Sequence, residues 1–361
     1  MLKTIDFYAT RSLTVDKFLF EFIVELASRN YHVSVCVFDP ENLTGFEGIN
    51  NIEIVSDLAG SCEVDSIGIR FFQIFRRMCA SKPDLIVTNT PLISALVRVV
   101  NFIFRVKLVY FVHGFRFYSG GNVFRNFLFQ SLEKIFGLGT TGFVVINSED
   151  LEWCSNSFPR KPVLYLEGGV GVPAEILNFD KGSPAKSERH IFRILVISAY
   201  KKEKGYEDVL LLAKKFDSCQ IQIDCFGYGD ASWLLRKIEA LDLGGVVCIK
   251  GFDTNVLRYV GEYDLFLHCS RREGLPVSVM EMMTLGLAVC CTNVRGCRDL
   301  VSNYHTGFLY EPGNVDSLIR ILNQLTTCDN VRDDVVSAAR DLARVRFDRT
   351  KLAKRFCDFI E

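Results

Sequence analysis

Between Asp264 and Pro312 the chain carries a pattern that few architectures accommodate. A short apolar strand, Leu265-Phe266-Leu267, runs into a polar loop, Ser270-Arg271-Arg272-Glu273-Gly274. A helical pattern follows, with Val279, Met282, Met283 and Leu285 apolar and Glu281 among them; Gly286 closes it, and a second apolar strand runs from Ala288 to Cys291. Strand, loop, helix and strand in this order belong to an open α/β sheet, which binds ligands beyond the carboxyl ends of its strands. Two carboxylates, Glu273 and Glu281, stand with seven residues between them. Gly274 lets backbone come close to a ligand at the turn. Leu275, Pro276 and Val277, at the start of the helix, form an anion site whose backbone N–H groups are reinforced by the helix dipole. Glu281, about two turns along, is placed to accept hydrogen bonds from hydroxyls.

A chain of 361 residues is long enough for two cores. With 49% hydrophobic and 24% charged residues it is globular, and a net charge of −1 argues against a general nucleic-acid binder. The 13 cysteines are scattered, and Cys36, Cys225, Cys269 and Cys290 sit in apolar strand patterns. Such cysteines are small buried hydrophobes of a reducing compartment, not zinc ligands or a disulfide framework. The N-terminal MLKTIDFYATRSL lacks an apolar signal core, and no apolar run reaches spanning length. A cytoplasmic protein is expected.

Residues 2–8 read as a strand, Lys17 to Arg29 as a helix with Phe18, Phe22, Ile23 and Leu26 on one face, and His32 to Phe38 as the next strand. Residues 41–65 carry little pattern. Between 66 and 148 the only acids are Asp84 and Glu133, while Arg70, Arg76, Arg77, Lys82, Arg98, Arg105, Lys107, Arg116, Arg125 and Lys134 are interleaved with phenylalanines. Basic residues beside aromatics on amphipathic helices suit an anionic membrane surface, assigned here to residues 70–136. The strand Leu108 to Val112 delivers His113-Gly114 at its carboxyl end. A polar stretch at 180–190 reads as a linker. Beyond it come the strand Ile194 to Ser198, the Lys201-Lys202-Glu203-Lys204-Gly205 run, and the strand Ile221 to Phe226 ending in Gly227-Tyr228-Gly229. A lone GxG in that position fits a nucleotide loop. Val246 to Lys250 leads to Gly251-Phe252, and the chain closes with helical patterns at Val315–Leu325 and Val331–Ile360.

The series Glu273-Gly274-Leu275-Pro276, Glu281, Gly286, Gly296, Asp299 and Gly307-Phe308-Leu309 resembles the nucleotide-sugar site of retaining glycosyltransferases, more narrowly family 4. The resemblance implies an α/β GT-B fold, two Rossmann-like domains facing across a cleft. It divides the chain into an acceptor-binding and membrane-associating domain at 1–173, a linker at 174–190, a nucleotide-sugar domain at 191–345 and a C-terminal helix at 346–361. That helix is expected to pack back on the first domain through Phe347, Leu352, Phe356 and Phe359.

The resemblance also implies roles. His113, Lys204 and Glu273 form the catalytic set. Gly227, Gly229, Phe252, Gly274, Leu275, Pro276, Val277 and Glu281 bind the donor, with Glu281 on the ribose and Glu273 on sugar hydroxyls. Arg11, Ser12 and Arg116 face the acceptor. The family's glycine-rich loop after the first strand is replaced by Thr10-Arg11-Ser12, and the arginine usual five residues before Lys204 is Ala199. Lys201 or Lys202 then supplies a second cation, or one lysine and the helix dipole suffice. No cofactor and no metal are implied, since no Asp-x-Asp motif is evident. The expected partners are a nucleoside diphosphate sugar (UDP-sugar favoured), a lipid-linked or glycan acceptor and an anionic membrane, with no nucleic acid. The expected reaction is transfer of a hexose-type sugar with retention in bacterial surface glycan synthesis, peripheral on the inner face of the membrane. A nucleotide-sugar epimerase or hydrolase of the same fold and a non-catalytic partner subunit are the alternatives.

Overall fold

A computed structural model describes residues 2–40, 43, 45–56, 58, 67–179 and 191–361. Two compact units divide the chain, Met1–Val170 with Arg349–Glu361 and Gly171–Asp348. The linker segment 180–190 and most of 57–66 lie outside the described residues.

In the first unit the order is β1 (Lys3–Tyr8), α1 (Ser12–Thr14), a π-helical stretch (Val15–Leu19), α2 (Phe20–Ser28), β2 (Tyr31–Cys36), β3 (Ile52–Val55), α3 (Ile67–Ser81), β4 (Leu85–Thr88), α4 (Pro91–Phe104), β5 (Lys107–Val112), α5 (Val123–Leu138), β6 (Gly142–Val145), α6 (Ser148–Ser157) and β7 (Val163–Tyr165). The strands are short and rich in valine, isoleucine and aromatics. They pair in parallel in the order β3-β2-β1-β4-β5-β6-β7. Strands covered by helices on both faces read as continuous apolar runs, which is how β5, Lys-Leu-Val-Tyr-Phe-Val, reads. The first helix starts earlier than its apolar periodicity suggests, at Ser12, whose N–H donates to the Asp39 carboxylate at 2.6 Å.

The second unit runs α7 (Ala174–Leu177), β8 (Phe192–Ile197), a 3-10 turn (Lys202–Lys204), α8 (Tyr206–Ala213), β9 (Ile221–Phe226), α9 (Ser232–Ala240), β10 (Val247–Gly251), a second 3-10 segment (Val256–Glu262), β11 (Leu265–His268), α10 (Val277–Leu285), β12 (Ala288–Thr292), α11 (Cys297–Leu300), β13 (Phe308–Tyr310), α12 (Val315–Thr327) and α13 (Asp329–Arg346). Its parallel sheet has the order β10-β9-β8-β11-β12-β13. The strand order reverses between β8 and β11, and between β1 and β4 in the first unit. Such switch points leave a crevice at the carboxyl ends of the strands.

The helical pattern at 331–360 is two helices. α13 stops at Phe347 and α14 (Arg349–Ile360) belongs to the first unit. The break has a backbone cause: the Phe347 carbonyl accepts from the N–H of Val172 at 2.8 Å, and Asp348 bridges to Val172. That carbonyl, orphaned at the helix end, is thereby satisfied without continuing the helix. Beyond the break Phe356 packs between Phe22 and Phe111, each 5.6 Å away ring to ring, and Arg349 donates to both Glu21 oxygens at 3.2 Å.

Candidate active site

The second unit gathers its candidates at one edge of its sheet, the carboxyl ends of β8, β9, β10 and β11. Lys204 lies on the 3-10 turn after β8, and Glu273 on the loop after β11. Two glycines bring these loops together. At Gly205, with φ +73°, a Cβ would lie 1.9 Å from the Cys269 carbonyl oxygen; at Gly296, with φ +80°, it would lie 2.4 Å from the carbonyl oxygen of Gly274. Only glycine tolerates both the conformation and the approach. A clamp on the buried Asp208 fixes the same loops: the half-buried Arg271 forks onto it at 2.9 and 2.6 Å, Tyr310 donates its hydroxyl to it at 3.1 Å, and the Arg271 N–H reaches the Glu203 carbonyl at 2.9 Å.

Across this junction the Lys204 ammonium donates to Glu273 Oε1 at 2.6 Å. The same oxygen accepts from His268 Nε2 at 3.2 Å, the nitrogen donating because a carboxylate can only accept. Arg295 Nε donates to the Glu273 carbonyl oxygen at 3.2 Å. Burial by itself would raise the Glu273 carboxyl. The hydrogen bond and charge of His268, then the charge and hydrogen bond of Lys204, outweigh it and pull the group down to about 2. Glu273 is therefore ionised across the physiological range, held on both sides.

Beside it α10 opens with Pro276 as its N-cap, and no side chain caps the first turn. Here the sequence reading needs correction. Proline has no N–H, so Pro276 cannot donate to an anion, and Leu275 lies before the cap. Val279 and Met280 donate to the Pro276 carbonyl, which leaves the N–H groups of Val277 and Ser278 at the front of the helix. Glu281 stands four residues into α10 and half-buried, ~6 Å along the axis and little more than one turn, nearer the helix start than the two turns expected. Gly227 ends β9 with its missing Cβ against the Ser198 carbonyl oxygen, 1.9 Å from where that atom would be, and its N–H donates to Gly251. Gly229 adopts φ +99° in open space. Phe252 is exposed just past β10. Ala199 is buried, and Lys201 and Lys202 are exposed.

In the first unit His113 follows β5, its ring stacked on Phe111 at 4.7 Å. Its Nε2 is sealed from solvent with no hydrogen-bond partner among the described residues, and burial pushes the imidazole down to about 4, so it is neutral at pH 7. Ser12 is buried, Arg11 is exposed, and the exposed Arg116 holds its guanidinium 5.5 Å over the Phe129 ring. Thr10 and Thr90, after β1 and β4, share a 2.6 Å hydroxyl contact across the switch point of that sheet.

His268, Arg295 and the Asp208–Arg271 clamp escaped sequence reasoning. A signal existed for His268, because it ends a parallel strand as His113 nearly does. The others depend on contacts between segments 63 residues apart or on burial behind a loop.

The architecture recurs in solved structures. Sucrose-phosphate synthase from Thermosynechococcus elongatus superposes with a TM-score of 0.81 at 14% identity over 99% of this chain and 98% of its own. The Anabaena protein Alr3699/HepE, solved with UDP-glucose, gives 0.76 at 18% identity over 100% and 99%. WaaG, a glycosyltransferase of lipopolysaccharide biosynthesis, gives 0.74 at 15% over 100% and 99%. The fold is the α/β GT-B fold of glycosyltransferases. Residues 180–342 match the family of glycosyl transferases group 1, so the chain carries a group 1 glycosyltransferase domain. Among named relatives, the putative glycosyltransferase EpsD of Bacillus subtilis is 28% identical over 67% of this chain and 67% of its own length. The amylovoran biosynthesis glycosyltransferase AmsK of Erwinia amylovora is 28% identical over 53% of this chain, about half (52%) of its own length. An Escherichia coli UDP-Gal:alpha-D-GlcNAc-diphosphoundecaprenol alpha-1,3-galactosyltransferase is 21% identical over 82% of this chain and 79% of its own.

Proposed function

We propose that this chain transfers a hexose-type sugar from a nucleoside diphosphate sugar, with a UDP-sugar favoured, to a lipid-linked or polysaccharide acceptor of bacterial surface glycan assembly, with retention at the anomeric carbon. The observation that carries the reading is the Lys204–Glu273 contact at the switch point of the second sheet, next to a helix start that no side chain caps. Breaking the bond to the diphosphate builds negative charge on the leaving group. An ammonium and two backbone N–H groups fixed in advance stabilise that charge without reorganisation. Glu273, held ionised, then presents a rigid carboxylate to sugar hydroxyls, and Glu281 takes the ribose. The roles that the resemblance gives to residues of the first unit, His113 toward the sugar and Arg11, Ser12 and Arg116 toward the acceptor, belong to this reading. The named relatives support donor and acceptor class: the E. coli protein's name specifies UDP-Gal and a diphosphoundecaprenol acceptor. The reading calls for no metal. A lipid-linked acceptor places the enzyme at the cytoplasmic face of a membrane; among the described residues no helix is long and apolar enough to cross one.

Ala199 favours one rival, a partner subunit that has lost turnover, because no cation replaces the usual arginine at that position. Calorimetric titration of UDP and GDP into wild type and Glu281→Ala separates the readings. UDP binding that weakens in the variant supports the donor site, and transfer to a diphosphoundecaprenol-linked sugar supports turnover. UDP binding without turnover indicates the inert subunit, and no nucleotide binding overturns the reading.

A further inference from the structure

α5 carries apolar residues on two faces, one half-buried against the unit and one exposed. A surface helix ordinarily buries its apolar stripe and turns its charges to water. In α5 only Gly137 is fully buried, with its missing side chain against the Phe158 ring. Val123, Phe124, Phe127, Leu128, Ile135 and Leu138 are exposed, Phe124 by 76% and Phe127 by 69%. The one acid of the helix points inward: Glu133 accepts from the fully buried Arg98 of α4 at 2.7 and 3.3 Å. The Arg98 guanidinium lies over the Tyr110 ring at 4.3 Å and the Phe136 ring at 5.3 Å. This clamp, together with the half-buried Phe129, Leu132 and Phe136, anchors α5, and its remaining large apolar residues are left facing solvent.

The exposed stripe follows helical spacing, Phe124, Phe127, Leu128, Ile135 and Leu138, along a helix of 16 residues, ~24 Å in length. Cations flank it. From Pro91 to Leu138 the one acid is the sequestered Glu133, whereas Arg105, Arg116, Arg125 and Lys134 are exposed. We infer that α5 is a membrane-docking helix, lying in the plane of an anionic bilayer with its phenylalanines among the acyl chains and Arg125 and Lys134 at the headgroup phosphates. This narrows the membrane part of the function proposed above to one element. An anionic bilayer offers acyl chains to the stripe and phosphates to the cations beside it. A second copy of the chain meeting the same face across a two-fold axis would set Arg125 and Lys134 of the two α5 helices together with no exposed acid on either helix to offset them.

The test is co-sedimentation of the full chain with vesicles of phosphatidylcholine alone or mixed with phosphatidylglycerol. The expected result is binding to the mixed vesicles that salt weakens and that drops about tenfold or more in Phe124→Glu/Phe127→Glu. Arg125→Glu/Lys134→Glu is expected to erase the preference for anionic lipid. Phe127→Trp is expected to show a blue-shifted emission quenched by brominated lipid. Equal binding by wild type and the Phe124→Glu/Phe127→Glu variant overturns the inference. So does a vesicle-independent dimer, seen by sedimentation equilibrium, that the phenylalanine changes abolish. UDP titration of each variant keeps this separate from the catalytic reading: the altered residues are exposed in the first unit, so nucleotide binding should be unchanged. A chain that binds vesicles but no nucleotide sinks the donor site and leaves the docking helix standing.

Discussion

Lys204 and Glu273 meet at 2.6 Å, one on the loop after β8 and the other on the loop after β11, the two strands between which the order of the second sheet reverses. The pair makes the loops a single electrostatic unit before any ligand arrives. Removing the ammonium leaves the Glu273 carboxylate with His268 and takes a fixed cation from the loop that leads into α10. Lys204→Ala should lower turnover by about 10²–10³-fold, the scale for loss of one preorganised stabilising donor. Glu273→Gln should instead release Lys204 toward phosphate, so that UDP binds at least as well while transfer falls. Parallel calorimetry and product assays check both.

Acid should weaken the protein through Glu273. Its folded value is depressed from an ordinary 4.5 to about 2, so the stabilisation is fully present above 4.5 and is lost as pH falls toward 2. The shift corresponds to about 3 kcal/mol. Thermal midpoints at pH 5 and pH 3 should fall farther for wild type than for Glu273→Gln, and equal falls would show that the pair does not form.

His113 titrates in the same direction for a different reason. Burial lowers it from 6.5 to about 4, so the unfolded chain binds a proton that the folded chain refuses. Stability is complete above 6.5 and declines by about 1.4 kcal/mol per pH unit below it, until His113 itself protonates. Histidine side-chain NMR should find one imidazole neutral down to about 4, absent from His113→Gln, which should also flatten the stability profile between 6.5 and 4.

Glycine substitutions should divide sharply. Alanine at Gly205 or Gly227 would drive a Cβ to 1.9 Å from a carbonyl oxygen. Either change should cost more than about 3 kcal/mol and abolish nucleotide binding. Gly229, with φ +99° and open space around it, should lose only about 1 kcal/mol as alanine, from backbone conformation alone. Differential scanning fluorimetry with and without UDP reads both effects.

The Arg98–Glu133 clamp should be among the costliest contacts of the first unit to break. Arg98→Ala leaves a carboxylate without its partner beneath α5, at about 3–5 kcal/mol. Paired replacement by Met and Leu should recover most of that, as a double-mutant cycle would show.

Much of this was legible in the chain. The alternation of apolar strand runs with helical periodicity specifies parallel sheets, because strands buried on both faces must be apolar throughout. Glu273, Gly274 and Glu281 can be picked out because chemistry at a strand end needs a carboxylate, a close backbone approach and a helix start in that order, and Gly296 enters through the resemblance alone. Where the reading slipped, it did so at ends. The anion site is read on Leu275 through Val277, but the ring of Pro276 has no N–H and Leu275 precedes the helix. One long helix was expected where the Val172–Phe347 hydrogen bond divides α13 from α14.

Sequence by itself determined which residues carry charge, which segments form strands and helices, and that the glycines sit where loops must close. These follow from local propensity and from the periodicity of burial. Tertiary structure alone decided that Lys204 and Glu273, 69 residues apart, become partners, that His268 shares the same carboxylate oxygen, and that α5 turns its acid inward and Phe124 and Phe127 out. A side chain's partner depends on which strands are neighbours and which loops glycine allows to touch. That information lies in the packing of distant segments and in no single stretch of the chain.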